Sequence, residues 1–95
     1  MSDIIEKAVT ALSAKFSGGF PSTAKFIVGD EGSIIIDADG VRAGDDEADV
    51  TLTADVDTFR GILEGTVNPT MAFMTGKLKI DGSMGLAMQL GSALS

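Results

Sequence analysis

Between residues 23 and 54 apolar side chains recur at every second position, and tight turns cut the run into short pieces. That pattern fits a half-buried strand, one face inward and one face wet. Residues 23–28 form the first strand, with Ala24, Phe26 and Val28 on one face. The turn Gly29-Asp30-Glu31-Gly32 leads into a second strand over 33–37, where Ile34 and Ile36 share a side. Asp39-Gly40 is a strong hairpin signal and places a short third strand over 41–43. An acidic loop (Asp45, Asp46, Glu47, Asp49) precedes a fourth strand, in which Val50, Leu52 and Ala54 alternate with Thr51 and Thr53. The tight hairpins predict that this run is antiparallel.

Helical periodicity flanks the strands. Ile5, Ala8, Val9, Leu12 and Phe16 recur at helical spacing over 2–16, with Ser2 as the cap and Asp3 and Glu6 near the positive end of the dipole. Gly18 and Gly19 stop that helix. Asp55 caps a second helix over 56–64, whose Val56, Phe59 and Leu63 share a face, and Gly65 ends it. Asn68-Pro69 opens a short third helix, with Met71, Met74 and Phe73 inward. Residues 77–81 form a fifth strand with Leu78 and Ile80 on one face. Ser83 caps a last helix reaching Leu94. Helices must cover the apolar face of the sheet, which gives a two-layer α+β fold over a single domain, 1–95.

Composition excludes several functions. Seven Lys and Arg against fourteen Asp and Glu leave a net charge of −7. Nucleic acid and strongly anionic membranes require the opposite sign. With no Cys and no His, disulfides, zinc thiolates and the commonest general base are absent. No apolar run approaches the ~20 residues of a membrane span, so a soluble, cytoplasmic domain is expected. Charge is also uneven. Residues 30–49 hold eight acids against Arg42 alone, whereas 66–95 carry only Lys77, Lys79 and Asp81. The acidic middle reads as a solvated hairpin rim.

The last helix is the most informative element. On a helical wheel Met84, Met88, Ala87, Leu94, Leu90, Leu86 and Ala93 sweep roughly 220°, leaving Gly85, Gln89 and Ser92 as a narrow polar side. A helix resting on a sheet needs about half that width. The rest must meet neighbouring helices, a partner subunit, or an apolar ligand held between helix and sheet. Met71, Met74, Met84 and Met88 fall within 18 residues. Methionine fills irregular space and is over-used at promiscuous apolar surfaces, although core packing uses it too. Gly85 and Gly91 within this helix permit close packing or movement of the helix.

Polar chemistry is poorly provided for. Asp37 and Asp39 lack the further ligands of a calcium loop, because Gly40 follows directly, and they read as a hairpin turn. The cluster Asp45, Asp46, Glu47 and Asp49 reads as a solvated loop rather than a metal site. Ser and Thr have no His to activate them. Catalytic residues, metal and cofactor are therefore all expected to be none.

The segment Asn68-Pro69-Thr70-Met71-Ala72-Phe73-Met74-Thr75-Gly76-Lys77-Leu78-Lys79-Ile80-Asp81-Gly82-Ser83-Met84-Gly85-Leu86-Ala87-Met88, preceded by Ala48-Asp49-Val50-Thr51-Leu52-Thr53 and then Asp57 to Gly65, resembles the sterol carrier protein type two domain. The resemblance covers about residues 48–90. It implies a mainly antiparallel five-stranded sheet, covered on one face by about four helices and enclosing an apolar tunnel. It also implies non-catalytic binding and transfer of fatty acid, fatty acyl-CoA, sterol or phospholipid. Phe73, Met74, Met84, Leu86 and Met88 match the family's cavity-facing segments. Periodicity alone adds Leu52, Phe59, Leu63, Met71, Leu78 and Ile80. Where members carry Lys and, two places on, Gln, this chain has Gln89 and Gly91, which removes a polar contact within the tunnel. The ending Ala93-Leu94-Ser95 lacks the peroxisomal tripeptide. Expected partners are a lipid ligand, membranes met transiently, and a homodimer or an acyl-CoA enzyme. The alternative reading is an assembly module whose apolar last helix is a dimer or partner interface.

Overall fold

In a computed structural model that describes residues 3–94, the chain runs α1 (Asp3–Lys15), β1 (Ala24–Val28), β2 (Gly32–Asp37), β3 (Gly40–Ala43), β4 (Val50–Ala54), α2 (Val56–Glu64), α3 (Pro69–Met74), β5 (Leu78–Gly82) and α4 (Met84–Leu94). Element order and boundaries follow the patterning closely. Ser2, expected to cap α1, lies outside the described residues.

The caps explain the helix starts. Asp55 is extended at φ −73° and ψ 169°, and its Oδ1 accepts the Thr58 N–H at 2.7 Å. Asn68 Oδ1 accepts from the Thr70 and Met71 N–H groups, at 2.8 and 3.3 Å, while Pro69 occupies the first turn. Ser83 Oγ accepts from Leu86 N–H at 3.3 Å. Each cap satisfies donors that the first helical turn cannot satisfy itself.

The five strands form one sheet in the order β3-β2-β1-β4-β5. Three pairings are antiparallel, but β1 and β4 are parallel, with Ala24 opposite Val50 and Val28 opposite Ala54. The run from β1 to β4 is thus not antiparallel throughout. Its last connection, residues 44–49, is not a hairpin. It crosses the sheet from the β3 edge to the far side of β1, so β4 enters in the direction of β1. Three strand spacings are about 14 Å, and six extended residues reach about 20 Å, so the short loop suffices.

The crossing leaves a trace on the sheet's outer face. Ile35 points away from the helices yet is fully buried, and a Cβ at Gly44 would stand 3.4 Å from its Cγ1. Asp45 pairs with Lys25 Nζ at 2.9 Å, and Asp46 with Arg42 at 3.4 Å. At the loop's end, Thr23 and Asp49 exchange hydrogen bonds of 2.9 and 3.2 Å. The acidic segment is therefore a strap over the outer face rather than a free rim.

All four helices lie on the other face. Phe26, Val28, Ile34, Ile36, Val50, Leu52 and Leu78 of the sheet pack against Leu12 of α1, Phe59 and Ile62 of α2, Ala72 of α3 and Leu90 and Leu94 of α4. The rings of Phe26 and Phe59 meet at 5.2 Å, a tilted arrangement suited to aromatic quadrupoles. Helix α1 packs over β2 and β3, while α3 and α4 pack over β4 and β5.

Candidate functional site

The half of the inner face covered by α3 and α4 is incompletely filled. A cavity of about 390 Å³ lies there. Leu52, Leu78 and Ile80 come from β4 and β5, Phe73 and Met74 from α3, and Met84, Ala87, Met88, Gly91 and Ser92 from α4. Asn68, Pro69 and Thr70, at the start of α3, complete the lining. None of these side chains is charged. The Asn68 side-chain oxygen is already committed to the α3 cap. Such a cavity can exclude water from an aliphatic chain, but it offers no fixed charge to recognise a polar one.

Helix α4 makes the cavity because its apolar sweep is divided between two tasks. Ala87, Leu90 and Leu94 are buried toward the sheet. Met84, Met88 and Gly91, further round the wheel, turn to the cavity. On the Met84/Met88 flank the excess apolar width of this helix thus faces a space, whereas on the other flank Leu86 packs against the core and Ala93 is exposed. The rim is open: Met74 and Met88 are 73% and 72% exposed, Met84 47% and Phe73 40%. Exposed apolar side chains grouped in this way mark a surface that meets something else.

Seven of the eleven residues expected at a ligand site lie together here: Leu52, Phe73, Met74, Leu78, Ile80, Met84 and Met88. Phe59 and Leu63 stand elsewhere, beside a second cavity of about 370 Å³ between α1 and α2. Phe59 is 2% exposed, with its ring against Phe26, so its main role is in the core. Met71 is exposed and Leu86 half-buried, and neither lines either cavity. Ser92 falls on the polar side of α4 by the wheel, yet it lines the cavity. It sits one turn beyond Met88, about 40° round the wheel, and that spacing was the available signal. Asn68 and Pro69 carry only a helix-start signal in the sequence, with no pattern that points to a lining role.

The acidic pairs have other work. Asp37 Oδ1 accepts the Asp39 N–H at 2.9 Å, and Asp37 Oδ2 pairs with Arg42 at 2.7 Å. The bond from Arg42 holds the Asp37 carboxyl below its ordinary range. This cluster closes the β2–β3 turn and contributes nothing to the cavity lining.

Solved structures of similar fold include sterol carrier protein 2 of Aedes aegypti in complex with palmitate (TM-score 0.78, 20% identity, covering 100% of this chain and 97% of that one). The sterol carrier protein domain 2 of Helicoverpa armigera is another (TM-score 0.75, 27% identity, 96% and 85% covered). Among curated proteins, hydroxysteroid dehydrogenase-like protein 2 of Bos taurus is 51% identical over 45 residues, covering 47% of this chain and 11% of its own length. Human sterol carrier protein 2 is 50% identical over 46 residues, covering 48% of this chain and 8% of its own. The matched region spans about a tenth of those curated relatives. A model of the SCP-2 sterol transfer family matches residues 5–95. That match covers nearly the whole chain, and the chain belongs to the SCP-2 sterol transfer family.

Proposed function

We propose that this chain is a non-catalytic lipid carrier that holds an acyl chain in the cavity between β4–β5 and α3–α4. It takes up fatty acid or fatty acyl-CoA, with sterol or phospholipid as further cargo, and exchanges them during brief contacts with membranes. The observation that carries this reading is the uncharged cavity of about 390 Å³, bounded by Leu52, Leu78, Ile80, Phe73, Met84 and Met88. Its volume falls within the ~300–1,000 Å³ of small-molecule sites. The palmitate complex of the Aedes aegypti relative supports the choice of ligand class.

The energetics suit a carrier. Each methylene removed from water contributes about 0.8 kcal/mol. A long chain thus gains on the order of 10 kcal/mol, much of it offset by ordering of chain and side chains. Methionines adapt to ligands of different outline, so the site selects for apolar length more than for detailed shape. A net charge of −7 opposes lasting residence on anionic bilayers and favours release.

The test is uptake of a fluorescent fatty acid by delipidated protein, paired with transfer of that probe between neutral vesicles. Saturable uptake at one site and faster transfer are expected. Absence of uptake, together with no lipid extractable from the purified protein, refutes the reading. Should the protein instead sediment as a dimer with Met84 and Met88 protected at the interface, the assembly-module alternative replaces it.

A further inference from the structure

The cavity rim is built from thioethers, and they are exposed. Met74 and Met88 are 73% and 72% accessible and Met84 47%, and all three line the cavity. Met71 is 56% exposed but does not line it. A buried core methionine is shielded from solutes; these are not. We propose that Met74, Met84 and Met88 form an oxidation-sensitive rim, at which peroxide converts the thioethers to sulfoxides and lowers the affinity of the cavity for acyl chains. The proposal rests on the lipid-binding reading above and adds a modification site to it.

The chemistry balances without any further group. A sulfur lone pair attacks one oxygen of hydrogen peroxide; the S–O bond forms and the O–O bond breaks. A proton passes to the departing oxygen, which leaves as water. Sulfur is oxidised by two electrons and peroxide is reduced by two. The product is a polar, chiral sulfoxide where a flexible apolar side chain stood, and a methionine sulfoxide reductase reverses it. The surroundings provide little to offset the change. The lining has no charged residue, and its only side-chain groups able to donate to a sulfoxide oxygen are the Asn68 amide and the Thr70 and Ser92 hydroxyls; the rest of it is apolar. A bound acyl chain would meet sulfoxide oxygens where it now meets methylthio groups. Oxidation at the rim leaves the core intact, because the buried side of α4 consists of Ala87, Leu90 and Leu94.

The experiment treats the full chain with dilute hydrogen peroxide, locates sulfoxides by peptide mass spectrometry, and measures fluorescent fatty acid binding before and after. Oxidation at positions 74, 84 and 88 is expected to weaken binding about tenfold or more, which corresponds to about 1.4 kcal/mol. The melting temperature and circular dichroism should be little changed, and sulfoxide reductase should restore affinity. The triple variant M74L/M84L/M88L, whatever affinity the substitutions leave it, is compared with its own untreated state and should lose none of that affinity after peroxide. The variant M71L should remain as sensitive as the wild type. Unchanged affinity in protein oxidised at all three positions overturns the proposal. So does a triple variant that loses affinity to the same degree, or a loss that tracks unfolding. Failure of the reduced wild-type protein to bind any fatty acid refutes the lipid-binding reading itself, and the rim proposal with it.

Discussion

Gly91 offers a way to close the cavity while strengthening the fold. It lies within α4 on the cavity side, and a Cβ built there stands 3.8 Å from Pro69 Cβ, an ordinary contact. Its replacement by Ala removes the conformational freedom of a helical glycine, so a gain of about 1 kcal/mol is expected. For a domain of this size that raises the melting temperature by roughly 4–8 °C. One added methyl takes little space, and affinity for a fatty acid should fall only severalfold. Gly91→Leu goes further. Helical side chains lean toward the N-terminus, so a leucine at 91 reaches over the turn that carries Ala87 and Met88, both lining residues. Its four side-chain carbons displace about as many methylenes of a guest. At about 0.8 kcal/mol each the loss is roughly 3 kcal/mol, or about two orders of magnitude in Kd. Helix propensity still favours Leu over Gly, so the variant should melt no lower than the wild type. Thermal melts by circular dichroism and fluorescent fatty acid titration read both effects. A Gly91→Leu protein that is folded and binds with wild-type affinity would place the ligand elsewhere and refute the argument.

Three other substitutions separate scaffold from site. Phe59→Ala should cost about 3–5 kcal/mol by leaving a void against Phe26, read as a lowered denaturant midpoint. Gly82→Ala should destabilise by at least about 1–3 kcal/mol, because Gly82 has φ +104° and an added Cβ would collide with the Asp49 carbonyl oxygen. A melting temperature within a degree of wild type would contradict that geometry. Asp55→Ala should weaken α2, with a pH signature. The Thr58 N–H bond lowers the Asp55 carboxyl below its ordinary 3.8, so the folded state prefers the ionised form. The cap's contribution is present above about 3.8 and fades as pH falls through the lower, folded value. Denaturation at neutral and acid pH should therefore show wild type and variant converging at low pH, and a gap that widens there would reverse the sign.

Much of this arrangement could be read from residue order, because local rules and the final packing agree. Alternation in 50–54, the Asp55 and Asn68 caps and the glycines after helices all act over a few neighbours, and they define the elements almost to the residue. The parallel partner of β1 was not legible in this way. Pairing across 26 positions, from Ala24 to Val50, depends on where the 44–49 strap travels, and turn chemistry carries no record of that path. The site was half legible. The excess apolar width of α4 indicated a space beside it, and the methionines indicated its rim. Periodicity could not separate Phe59 from Leu78, since both point inward from their own elements. Which of them meets a void depends on the element packed opposite, a tertiary fact.

The parallel pairing also bears on the order in which this chain assembles. The β1–β2–β3 meander closes through local turns, whereas β4 must travel past two strands to find β1, and long-range closures of this kind tend to slow folding. Only once β4 is seated does β5 have a neighbour, and only then do α3 and α4 have a floor. During synthesis the methionine-bearing segment, with Met71 and Met74 ahead of β5 and Met84 and Met88 behind it, leaves the ribosome after β4. The interval in which its greasy surface could seek another nascent chain is correspondingly brief.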